Sequence, residues 1–146
     1  MEISILQKTY DFVKWYVSIL NRIPREHKYT LGNRLITNLY DFLEGLIQAQ
    51  YTREKSQLLT TLNTQLEVIR YQTRLLHDFN LIHLPRYEYA AKLTNEIGSE
   101  LGGWIRQQKK SRPFQKPDPP SPLVKGGHEI QGSLKNSASQ LLALKT

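Results

Sequence analysis

The chain has 146 residues, 39% of them apolar and 23% charged, with a formal charge of +7 and no cysteine. That size and apolar share suit one compact core with a tail, and the missing cysteines exclude disulfides, thiolate catalysis and zinc–cysteine centres. No run of about 18 apolar residues occurs, and charges interrupt the N-terminal segment "MEISILQKTYDFVKWY", which argues against a membrane span or a secretory leader and for a soluble, cytoplasmic protein.

The first predicted helix runs from about Ile3 to Arg22. Leu6, Tyr10, Val13, Val17 and Leu20 recur at spacings of three and four and make one stripe. Ile5, Phe12, Trp15, Tyr16, Ile19 and Ile23 widen the apolar arc to roughly 240°, where a helix facing one core needs little more than about 100°. The helix is therefore expected to bury two faces, one inside a bundle and one elsewhere. Phe12, Trp15 and Ile19 are the candidates for a subunit interface; the alternative is a central helix in a small core whose rings spill to the surface. Pro24 ends this helix, "REHKY" makes the connection, and a second helix is expected from about Thr30 to Ala49 on the stripe Leu31, Leu35, Leu39, Phe42 and Leu46. The third, from about Thr52 to Phe79, carries Leu59, Leu62, Leu66, Ile69 and Leu76, and Asn80 is its expected stop. Pro85 falls in the first turn of a fourth helix, where its missing N–H costs nothing. Four amphipathic helices and no alternating strand pattern predict an all-α fold, an antiparallel up-down four-helix bundle.

The fourth helix contains "LTNEIGSELGGWIRQQKK", with three glycines that each destabilise a helix interior by roughly 0.5–1 kcal/mol against alanine. Tyr89, Leu93, Ile97, Leu101 and Trp104 form its core stripe. Ala91, Thr94, Gly98 and Gly102 fall in a narrow band beside it, a groove of small side chains through which another helix is expected to approach closely. The alternative for Gly102 and Gly103 is fraying near the helix end.

Charge divides the chain in two. Residues 1–108, the expected bundle, hold 13 Lys and Arg against 11 Asp and Glu; residues 109–146 hold 7 against 2. Five of the seven prolines lie between Pro113 and Pro122, followed by Gly126 and Gly127, so this Pro/Gly-rich basic tail is expected to be disordered or extended.

Sites for chemistry are scarce. His27, His77, His83 and His128 show no metal-ligand spacing, and Asp41 and Glu44 read as a solvated helix face. There is no nucleophile elbow, phosphate loop or triad, so no metal, cofactor or catalytic residue is expected. Basic residues offer more. Arg22, Arg25 and Lys28 cluster around the first connection with Arg34 close behind, Arg70 and Arg74 lie four apart on one face of the third helix, and Arg106, Lys109 and Lys110 follow the glycines. Guanidinium groups so spaced suit neighbouring phosphates. For Arg70 and Arg74 intrahelical ion pairing competes, because Glu67 precedes the first by three and Asp78 follows the second by four.

"IPREHKYTLGNRL" after the first helix, "LEVIRYQTRLLHDF" in the third and "NEIGSELGGWIRQ" in the fourth resemble Avd, the accessory variability determinant family of diversity-generating retroelements. The resemblance covers about Tyr10 to Gln108 and stops before the tail. The glycines followed by Trp104, Ile105 and a basic residue are its most specific part. More distantly the bundle is similar to the ribosomal RNA intervening-sequence proteins, whose role would be structural or unknown. The Avd resemblance implies a basic homopentamer that binds RNA and DNA and a dedicated reverse transcriptase during mutagenic retrohoming, without catalysing a reaction itself. Five chains at +7 would carry +35 on one particle. The family's basic pair on the third helix looks like Arg70 and Arg74 here, with the departure that acidic residues flank both.

Overall fold

A computed structural model describes residues 2–111, with the side chains of residues 2, 3, 110 and 111 left aside. Among those residues the regular elements are all helical, with no strand: α1 (Glu2–Leu20), α2 (Asn33–Tyr51), α3 (Ser56–Asp78) and α4 (Leu84–Ser111), joined by short turns. The helices form a ring in which α1 and α3 each pack on α2 and α4. Ring neighbours run antiparallel, as cross-helix pairs show. Asn38 hydrogen-bonds Gln72, Arg70 hydrogen-bonds Asn95, His77 stacks on Tyr87, Trp15 meets Tyr89 and Lys8 meets Glu100, so one number falls as the other rises. Short connections leave the chain no other way to bury four apolar stripes together. The expected four-helix bundle is the fold observed. The expected tail lies outside the described residues from 112 onward, and α4 continues three residues past the boundary expected at Gln108.

Local signals explain the helix ends. Pro24 (φ −57°, ψ 146°) closes α1, and its carbonyl accepts from the amides of His27 and Lys28 at 3.0 Å. "REHKY" is therefore not a loop: a helical turn over Arg25–His27 leads into a π-helical turn over Lys28–Gly32 and directly into α2. At the end of α3, Asn80 adopts φ 61°, the left-handed conformation that Asn tolerates better than most residues. The amide of Leu81 then reaches the carbonyl of Leu76 at 2.8 Å and that of Asn80 reaches His77 at 2.9 Å, the paired bonds of a Schellman stop.

Helix α1 settles differently from the expectation. Ile5, Phe12, Tyr16, Ile19 and Ile23, the middle of its wide apolar arc, turn into the core; Phe12 is 1% and Ile19 7% exposed. Both side chains are packed inside the protomer, which leaves little of either for the subunit interface expected there. Trp15, at one edge of the arc, is half-buried edge-on against Tyr89 of α4, ring centres 4.8 Å apart. Leu6, Tyr10 and Val17, at the other edge, lean outward toward α2, with Tyr10 52% exposed. At 100° per residue the core can take only the centre of such an arc, so both edges are left over.

One polar relay crosses this core. The Tyr16 hydroxyl donates to Thr73 Oγ1 at 2.7 Å, and Thr73 donates to the carbonyl of Ile69 at 2.8 Å, joining α1 to α3 across the bundle. Burial pushes the phenol's pKa upward, which keeps it protonated and able to donate.

The glycines also sort differently. A Cβ at Gly98 would come within 2.7 Å of Arg70 Nη2 and 3.4 Å of Leu66 Cδ2, so the space beside it is filled by side chains of α3. At Gly102 and Gly103 a Cβ would meet only the Arg106 guanidinium of the same helix, at 3.5 and 3.8 Å. A tighter contact lies at Gly45 of α2, where an added Cβ would overlap the buried Leu62 side chain of α3. Gly45→Ala should therefore destabilise the protein by roughly 1–3 kcal/mol through overpacking. Gly102→Ala should stabilise it by roughly 0.5–1 kcal/mol through helix propensity. Denaturant melts of the two variants test the opposite signs.

Candidate nucleic-acid interface

The basic pair of α3 lies along the α3–α4 groove. Arg70 is two-thirds buried: its Nη1 donates to Asn95 Oδ1 at 2.5 Å, its Nη2 to the Thr94 carbonyl at 3.2 Å, and its Nε lies 3.1 Å from Glu67 Oε1 in an ion pair too bent to count as a hydrogen bond. Arg74 is exposed, with Nε 3.9 Å from Asp78 Oδ2. Both ion pairs that the spacing permits are present. They differ in weight, because the long, exposed Arg74–Asp78 contact is worth at most about 1 kcal/mol and is screened by salt. Arg70 is held from three sides. With Tyr71, Thr73, Tyr87 and Thr94 the two arginines line a groove of about 250 Å³.

The connection arginines are placed otherwise. Up-down topology brings the end of α1, the start of α2, the end of α3 and the start of α4 to one end of the bundle. Arg22, Arg25, Lys28 and Arg34 all lie there, and among the described residues none of them has a carboxylate partner, whereas Arg70 and Arg74 do. The Arg25 guanidinium sits 5.9 Å from the centre of the Tyr29 ring. Arg34 borders a second groove with His27, Tyr29, Thr30, Leu31, Leu75 and Phe79. Four cations outside any ion pair make this end a stronger source of attraction for phosphates than the α3 pair.

Arg106 and Lys109 are exposed near the other end of α4, about 30 Å along the helix from Arg86 at 1.5 Å per residue. The sequence candidates thus fall into three places: the connection end, the α3–α4 groove and the far end of α4. Lys110 lies on α4, its side chain outside the described residues. Sequence reasoning missed Tyr29 and Phe79, exposed rings at the connection end. The signal was present, since Tyr29 falls in the connection and Phe79 at the last position of the third predicted helix, off its stripe.

Among the described residues no group of three or more His, Asp or Glu is arranged to hold a metal ion, and no helix is long and apolar enough to cross a membrane. No curated protein sequence matches the chain significantly. A family model described as bAvd-like matches residues 3–108, the bundle from its first turn to the last turns of α4. By that match, which covers most of the chain, the protein belongs to the bAvd-like family.

Proposed function

We propose that the protein is the non-catalytic accessory factor of a diversity-generating retroelement, a cytoplasmic scaffold that holds the reverse transcriptase together with its template RNA or the resulting cDNA during mutagenic retrohoming. Family membership supports the accessory role. The observation that carries the nucleic-acid part is the set of unpaired cations Arg22, Arg25, Lys28 and Arg34 at one end of the bundle. Arg106, Lys109 and Lys110 add charge at the other end. Arg70 acts mainly as a tie between α3 and α4, and Arg74, exposed beside Tyr71, is the member of that pair left for the transcriptase.

The working form is a homo-oligomer, a pentamer by family resemblance. Its contact face is the outer side of α1 and α2, where Tyr10, Val13, Val17, Tyr40 and Leu43 line a groove and Ile47 is 44% exposed nearby. Multiplying a basic end around a ring offsets the small net charge of each bundle.

Two outcomes follow. Replacing Arg25, Lys28 and Arg34 together by glutamine in the full-length chain should lower the slope of log affinity for template RNA against log salt by about 2–3. Replacing Arg70 and Arg74 by alanine should change that slope by no more than about 1 while weakening capture of the reverse transcriptase. Salt-titrated binding assays and pull-downs measure these. In light scattering, Tyr40→Glu should yield smaller species than the parent protein; an unchanged mass would move the interface elsewhere.

A further inference from the structure

The connection end carries two exposed rings that the bundle does not need. Tyr29 is 63% and Phe79 50% exposed, and with His27, Arg34 and Leu75 they border a groove of about 360 Å³. That volume lies within the range of small-ligand sites. His27 stacks on Phe79 at 5.6 Å with 25° between the planes, and the phenylalanine stays 50% exposed. Tyr29 is presented by the π-helical turn, an uncommon backbone state often found at functional sites. Gly32 seats that turn on the core, since a Cβ there would stand 3.1 Å from Ile23 Cδ1 and 3.3 Å from the His27 carbonyl.

We propose that this groove takes an unpaired base of single-stranded nucleic acid, stacked against Phe79 and Tyr29, with the neighbouring phosphates on Arg25, Lys28 and Arg34. The inference rests on the nucleic-acid reading above and narrows it to strands whose bases are free. A duplex hides its base faces and presents phosphates, for which the cations alone suffice. Exposed rings among those cations add affinity only for a free π face, the combination used by single-strand binders. Charge points the same way: at this end Asp78 lies beside Arg74, and Glu26 and Glu88 are outnumbered by Arg22, Arg25, Lys28, Arg34 and Arg86 among the described residues.

The test uses the full-length protein with an oligoadenylate RNA of about 15 nucleotides and a blunt RNA duplex of the same length. Tyr29→Ser and Phe79→Leu should each lower affinity for the strand about fivefold or more and leave duplex binding and its salt slope unchanged. A 2-aminopurine placed in the strand should be quenched by the parent protein and not by the double variant. Both side chains are exposed, and Phe79→Leu keeps an apolar cover for His27, so melting curves should match the parent. Equal losses for strand and duplex, or no loss for either, would overturn the stacking site. Unchanged strand binding with lost capture of the reverse transcriptase would overturn it in favour of a protein contact. If the parent binds neither probe, the nucleic-acid reading itself fails and takes this proposal with it.

Discussion

The guanidinium of Arg70 occupies the space that a side chain at position 98 would need. That one accommodation decides much of what the bundle presents to the outside. Bonds from Arg70 to Asn95 and to the Thr94 carbonyl lock α3 against α4. Charge-assisted hydrogen bonds are worth roughly 1.5–3 kcal/mol each, more than the roughly 0.5–1 kcal/mol that a helical glycine costs. Glycine at 98 therefore leaves room for the Arg70 contact rather than marking a defect in the helix. The same contact withdraws one member of the basic α3 pair from the surface, whereas Arg22, Arg25, Lys28 and Arg34 at the α1–α2 connection stay outside any ion pair among the described residues.

A second constraint comes from α1, which has more apolar surface than one core can bury. The core selects the centre of the arc around Phe12 and Tyr16, and the Tyr16–Thr73 relay fixes that rotation, because turning α1 would strand a buried hydroxyl. What remains on the flank toward α2 is an exposed apolar band around Tyr10 and Tyr40. Packing inside the protomer and the proposed assembly outside it are thus two sides of one choice of helix rotation. Assembly in turn sets how many basic ends face a nucleic acid together.

The features legible in the sequence are those that depend on nearby residues. The α3 stripe from Leu59 to Leu76, the stop at Asn80 and the start around Pro85 are all settled within a few residues of chain, and all appear where local chemistry puts them. The rotation of α1 was not legible, because a 240° arc offers several centres and only the neighbouring helices choose among them. Nor was the partner of Gly98, an arginine 28 positions earlier on another helix. Gly45 escaped notice for the same reason, since its neighbour Leu62 lies on the adjacent helix α3. The ion pairs of Arg70 and Arg74 were readable as possibilities from their spacing. Which basic residues would be left without carboxylates depended on where the connections folded.

The central claim is that the bundle meets nucleic acid at the α1–α2 connection. Lysine footprinting tests it most directly: the full-length protein is labelled with an amine-reactive reagent with and without template RNA, and the modification of each lysine is read by mass spectrometry. The account predicts protection of Lys28 well above that of Lys92, which is exposed on α4 about 12 Å along the helix from that end. Unchanged labelling of Lys28, with RNA protection confined to Lys92 or Lys109, would contradict it.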